Sequence, residues 1–174
     1  RFPAAGETAS IAELTRMMIV RSSNEATNVL FDRLGEERIA AAFARGGAVR
    51  SRMQRKIGDS DAIAAGLTNE VTAAELARLM HAIVTGSATG AGPAAWMRAV
   101  LAGQEHRLIA DVVHPGIPWG SKSGNVPGIA HDVAFVGDPG SEDVRFLAIC
   151  TRGFEPEQGR ETLVAVAQAV LGLG

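Results

Sequence analysis

A chain of 174 residues, 47% hydrophobic and 21% charged, is long enough to bury a substantial core and too apolar to read as disordered. Its formal charge of −2 gives no electrostatic reason to expect nucleic acid or an anionic membrane, and no apolar run reaches the ~18 residues of a membrane span. A single cysteine, Cys150, excludes an internal disulfide, and its place in an apolar strand pattern predicts inert core.

Ser10-Ile11-Ala12-Glu13 fits a capping box, and Ile11, Leu14 and Met18 follow at helical spacing. Ser22 or Ser23 starts a second helix that runs to Leu34 and stops at Gly35. A third helix is predicted over 36–45, ended by Gly46-Gly47. Arg45, Arg50, Arg52, Arg55 and Lys56 form a basic cluster that reads as a solvated face. Residues 47–70 lack a clear period and read as a long loop with some helical turns, a length that points to function. Thr72-Ala73-Ala74-Glu75 fits a second capping box ahead of Leu76, Leu79, Met80 and Ile83, which sit at i, i+3, i+4 and i+7. Gly92-Pro93 opens a further helix through about Leu101.

After residue 115 the period changes. A strand begins near Lys122, and 129–137 and 144–151 read as neighbouring antiparallel strands. Val133 and Phe135 make one face apolar, Ala134 and Val136 the other, so the sheet is expected to be covered on both sides. A helix over 158–171 can cover one of them. The expectation is one α+β domain over 1–174: a helical part over about 10–115, then a three-stranded antiparallel sheet and a C-terminal helix over about 116–174.

The run Trp119 to Asp132 carries the chemistry. Lys122 supplies a compact positive charge that can hold a carboxylate, Ser123 adds a hydroxyl, and Gly124 leaves room for a ligand against the backbone. One hundred residues earlier stands Ser22-Ser23-Asn24. Taken alone, Ser22 is an N-cap, Lys122 an edge-strand lysine and Asp59 a loop or capping residue. His81, His106, His114 and His131 lack close metal-ligand spacing, so no metal site is expected; His131 reads as a strand-start residue with a satisfied hydrogen bond.

The run Arg-Met-Met-Ile-Val-Arg-Ser-Ser-Asn-Glu-Ala-Thr-Asn-Val-Leu over 16–30 resembles the Ser-Asp-Asn helix entry of class A β-lactamases and related penicillin-recognising serine hydrolases. Residues 69–77 resemble the helix after that family's omega loop, Lys122-Ser123-Gly124 its Lys-Thr/Ser-Gly strand, and 131–134 the start of the next strand. The four motifs stand in the family's order. The resemblance implies a β-lactamase/transpeptidase-like fold, with a helical subdomain beside an antiparallel sheet flanked by helices. It implies acylation of a serine by a β-lactam or a peptidoglycan-like amide, then hydrolysis, with no cofactor. Ser22 would relay a proton to the leaving nitrogen, and Lys122 would polarise Ser22 while drawing in the substrate carboxylate. Asn24 would bind the substrate's side-chain amide, Ser123 its carboxylate, and the Asn125 backbone N–H would help form an oxyanion hole.

Two departures accompany the resemblance. The family nucleophile lies in Ser-x-x-Lys; here Met53 precedes Lys56 by three residues, Trp119 precedes Lys122 by three, and there is no other lysine. The nucleophile helix, an N-terminal helix and two strands are therefore expected from a segment outside these residues, as the opening Arg-Phe-Pro-Ala-Ala-Gly without a methionine also suggests. Such a segment would have to cover a bare sheet edge, which would otherwise promote aggregation. Second, no glutamate lies between Gly47 and Leu67 to activate a deacylating water; Arg-Lys-Ile-Gly-Asp over 55–59 resembles a divergent branch in which Asp59, or Asp61, would take that part. The alternatives are a penicillin-binding carboxypeptidase-like protein and a non-catalytic homologue that keeps the groove. The resemblance alone places the protein in the periplasm or outside the cell.

Overall fold

The computed structural model describes residues 2–4 and 6–172. Three helices open it: α1 (Ile11–Val20), α2 (Asn24–Leu34) and α3 (Glu36–Arg45). The predicted box at the start of α1 is present: Ser10 Oγ accepts from the Glu13 N–H, and the Glu13 carboxylate accepts from the Ser10 N–H at 2.7 Å. Gly35, at φ 77°, ends α2 and starts α3, a backbone turn that favours glycine.

The 47–70 segment holds more order than its sequence suggested. It forms a two-stranded antiparallel ribbon, β1 (Arg52–Met53) with β2 (Asn69–Glu70), and the short helix α4 (Ser60–Ala64) between them. Two-residue strands are too short to show a period. The basic cluster is split up here: Arg52 pairs with Glu70 at 3.1 Å and Lys56 with Asp32 of α2 at 3.0 Å.

Two long helices follow, α5 (Ala73–Thr85) and α6 (Ala91–Ala102). Only half of the second predicted capping box forms. Thr72 Oγ1 accepts from the Glu75 N–H at 3.2 Å, but the Glu75 carboxylate turns away and is buried. It accepts from the backbone N–H groups of Val49, Arg50 and Ser51 and from the Ser51 hydroxyl, at 2.6–3.1 Å. The Ser51 hydroxyl holds this carboxyl below its ordinary range, with the backbone donors acting in the same direction. Three loop donors without a ladder partner outweigh one exposed helix end.

A 3₁₀ turn (Ile109–Val112) leads to the sheet: β3 (Trp119–Val126), β4 (Ile129–Val136) and β5 (Arg145–Cys150), antiparallel in the order β3-β4-β5. Val126 faces Ile129 across a two-residue turn, Pro127-Gly128. As the alternation implied, both faces are covered. Val133 and Phe135 pack with Met80, Val84 and Leu101 of α5 and α6. Ala134, Val136 and Ile149 pack with Ile109 and with Leu163 and Ala167 of α7 (Pro156–Leu171). Cys150 departs from expectation: it ends the edge strand β5 and is exposed, not core.

Leu163 is fully buried between α7 and the sheet. Leu163→Ala is expected to lower unfolding free energy by about 2–5 kcal/mol in urea titration, from lost transfer energy and the cavity left behind.

Candidate active site

The sequence allowed Ser22 or Ser23 as the cap of α2. Ser23 takes it: its Oγ accepts from the Ala26 N–H at 3.1 Å. Ser22 is thereby free of the capping role and sits in the corner between α1 and α2 at φ 51°, the one positive φ among the described non-glycine residues. Such a conformation costs on the order of 1–3 kcal/mol and has to be held by its surroundings. The holding contacts come from residues the sequence did not single out. Gln104, 1% exposed, donates from Nε2 to the Ile19 carbonyl at 2.8 Å, and the Glu105 N–H donates to the Val20 carbonyl at 3.0 Å. The segment after α6 thus pins the end of α1, directly before the corner.

Lys122 reaches the corner from β3. It pairs with Val133 across the sheet, so its side chain lies on the α5–α6 face, and Nζ donates to Ser22 Oγ and to the Ser123 carbonyl. Two residues separated by 100 positions in the chain are hydrogen-bonded. Burial pushes the Lys122 ammonium down to about 8, with the charge of Asp132 pulling the other way. A lysine in that range, on a hydroxyl, can pass protons near neutral pH.

Ser123, Gly124 and Asn125 continue the strand. Ser123 is half-buried; Gly124 and Asn125 are exposed on β3, which forms the other edge of the sheet. A Cβ built on Gly124 would meet nothing within 4 Å, so the fold itself leaves the space beside it open. Ser123 and Asn125 line a cavity of about 700 Å³ with Arg107, Asp111, Ile129 and Arg160. Asn24 is the first residue of α2 and exposed, two positions from Ser22.

Asp59 is engaged otherwise. Its carboxylate accepts from the Ala62 N–H at 3.0 Å and caps α4, the alternative role weighed for it. Asp61 lies exposed in the first turn of α4. What ties this loop to α2 is Asn28. Its Oδ1 accepts from the Ile57 N–H at 2.7 Å and its Nδ2 donates to the Ile57 carbonyl at 3.0 Å. Asn69 does the same within the loop, accepting from Gln54 and Arg55 N–H and donating to the Arg55 carbonyl. His131 behaves as expected, its Nδ1 accepting from the Thr151 N–H at 3.2 Å.

Asp132 is the buried acid of the site, 1% exposed, facing Ser123 across the strands. One oxygen accepts from the Ile109 N–H at 2.8 Å; the other has no protein partner among the described residues. Burial raises this carboxyl to about 7, against the backbone donors Ile109 and Val133 and the Lys122 charge.

Residues 2–173 match the family model described as the β-lactamase enzyme family. The chain belongs to that family. A β-lactamase from Sphaerobacter thermophilus is 27% identical, with a TM-score of 0.87 over 98% of this chain and 65% of that one. The class A β-lactamase of Mycobacterium abscessus (21% identity, TM-score 0.79, 97% and 66% covered) and PBP-A (21%, 0.79, 98% and 65%) share the fold. No curated protein matches. The chain therefore spans about two thirds of the length of these structures, and over that part it has the β-lactamase/transpeptidase-like fold. Among the described residues no cluster of three His, Cys, Asp or Glu could hold a metal, and no helix is long and apolar enough to cross a membrane.

Two predictions follow from the strained corner and the buried acid. Ser22→Gly and Ser22→Val both take an acceptor from Lys122, so the difference between them reads the backbone alone: the valine variant should be less stable than the glycine variant by about 2 kcal/mol in urea titration, because a β-branched residue tolerates positive φ worst. The Asp132 carboxyl is raised in the fold, so the unfolded chain loses its proton first. Its contribution is greatest below 3.8 and declines as pH climbs to about 7. Asp132→Asn should flatten that decline, on the order of 4 kcal/mol, in denaturation followed across this range.

Proposed function

We propose that this β-lactamase-family chain carries the proton-relay and substrate-binding half of a serine acyl-transfer site. Its substrate is a β-lactam or a related peptidoglycan-like amide, and its nucleophile comes from the third of the fold that these residues do not span. The observation that carries the reading is the hydrogen bond from Lys122 to Ser22. The nucleophilic serine's oxygen bonds the carbonyl carbon and the amide C–N bond breaks. The proton released by the nucleophile reaches the leaving nitrogen through Ser22. Lys122 holds Ser22 in place and supplies positive charge for the substrate carboxylate, which Ser123 also binds. The Asn125 N–H donates to the carbonyl oxygen as negative charge grows there. Asn24 orients the substrate's side-chain amide, and Gly124 lets the substrate lie along β3.

The nucleophile segment is the partner required, as part of the same polypeptide or as a separate piece. By family, the site of action is outside the cytoplasmic membrane, in the periplasm or secreted, on cell-wall peptides or antibiotics. A second reading, a penicillin-binding carboxypeptidase-like protein, is favoured by one contact: Asp59 is spent on capping α4.

The test is exposure of the full-length polypeptide to a fluorescent penicillin and to nitrocefin. A covalent mass increase or lactam turnover is expected; absence of both ends the proposal. Lys122→Ala should slow acylation by about 10²–10³-fold. Because burial holds the Lys122 ammonium near 8, acylation should fall by up to ~10-fold per pH unit above that value.

A further inference from the structure

Asp132 Oδ1 and Ser121 Oγ are both fully buried, and neither has a protein partner among the described residues. Buried polar atoms are nearly always bonded, so two of them on one patch of sheet call for an explanation. The β3–β4 register sets Asp132 directly opposite Ser123 and diagonal to Ser121. Strand alternation sends all three side chains to one face, the face opposite Lys122. Ser123 is the outermost of the three: it is half-buried and lines the cavity of about 700 Å³. Lys122 occupies its carbonyl, and no described residue holds its hydroxyl. Cβ atoms facing each other across an antiparallel pair stand about 4.5–5.5 Å apart, so the Asp132 carboxyl reaches that hydroxyl directly or through one bridging water.

A serine hydroxyl has a single proton to give. The Ile109 N–H occupies one Asp132 oxygen, so the two protonation states differ at the other, Oδ1. As an acid, Oδ1 donates; Ser123 accepts and keeps its own proton for the cavity. As a carboxylate, Oδ1 accepts and draws that proton inward. It also sets a negative charge behind the hydroxyl, where an anionic ligand is repelled across a medium of low dielectric.

We infer that Asp132 is a positioning residue for Ser123 and makes that subsite selective for ligand charge: the neutral acid admits an anionic ligand to the hydroxyl, and the carboxylate opposes it. This rests on the acylation reading above and deepens it, because the grip on the substrate carboxylate becomes proton-dependent. Burial places the change at about 7. Of the charged groups around Asp132, Lys122 of β3 favours the carboxylate from across the sheet. Asp111 of the 3₁₀ turn opposes it and is itself paired with Arg160 of α7 at 2.6 Å. The remaining neighbours on this face are apolar, Ile149 opposite on β5 and Leu163 and Ala167 on α7. His131, next in the strand, points to the other face.

The experiment compares benzylpenicillin with its methyl ester, which lacks the negative charge. The full-length protein is mixed with each from about pH 5.5 to about 7.5, below the value that governs Lys122. Capture rate is read from adduct mass or, where release is fast, from lactam loss. The ratio of acid to ester rates cancels what the two ligands share. In the wild type it is expected to fall about threefold across this range. In Asp132→Asn it should stay flat, because the amide still accepts from Ile109 and donates where the acid did. A flat wild-type ratio, or a wild-type slope in a folded Asp132→Asn protein, overturns the inference and leaves acylation standing. Infrared spectra of the wild type supply a second measurement should the variant not fold. Bound penicillin should keep the carboxylic acid that titrates near 7 protonated to higher pH, by up to about one unit, and the ester should not. A carboxyl band that penicillin leaves unmoved overturns the inference as well. If neither ligand gives adduct or lactam loss at any pH, the acylation reading falls, and this inference with it.

Discussion

The bond between Lys122 and Ser22 is the contact on which the site depends. An ammonium prefers water, and an edge-strand lysine has water within reach. Here it is drawn inward, and its proton affinity drops as it is desolvated. It is tolerated because two of its three donors find acceptors, the Ser22 hydroxyl and the Ser123 carbonyl. The hydroxyl is available because Ser23, not Ser22, caps α2. The corner that presents it is held by Gln104 and by the backbone bond from Glu105 to Val20. Removing any one of these leaves the others short of a partner, so the helical block and the sheet are registered against each other through polar contacts as well as through the packing of Met80, Val84 and Leu101 on the strands.

The same device recurs in the 47–70 segment. With only two residue pairs of ladder, most of its backbone needs partners from elsewhere. Asn28, Asn69 and Glu75 supply them from side chains whose acceptors or donors match those of a missing strand. This arrangement gives a loop of fixed shape without a hydrophobic core beneath it. Two of its acids are committed in the same way, Asp59 to the cap of α4 and Glu70 to the ion pair with Arg52, while Asp61 stays exposed.

Much of the fold could be read from the residues. Helices with a cap and a 3.6-residue period, and strands with two apolar faces, carry their instructions locally, so α1, α2, α3, α5 and the β4–β5 pair lie close to where the pattern put them. The loop did not, because its fastenings join residues 14 to 29 positions apart and use polar types that look like any surface. Thr72 and Glu75 show how a local pattern misleads: the sequence of a capping box is present, and a tertiary demand claims the glutamate. Cys150 shows another limit, since alternation tells which face a residue takes and not whether an edge strand has a neighbour. The meeting of Ser22 with Lys122 was legible only through resemblance to a family; nothing in either tripeptide alone points to the other.

Gly120, two residues before Lys122, has no chemistry of its own. A methyl group there would lie within 3.1 Å of Phe135 Cε1, Leu101 Cβ and the Ala102 nitrogen. The missing side chain therefore acts as a spacer gauge between β3 and the end of α6. Gln104 rides on that end, and Gln104 steadies the corner at Ser22. A methyl at this residue, which never touches the relay, would press on the end of α6 and so on the segment whose Gln104 braces the corner.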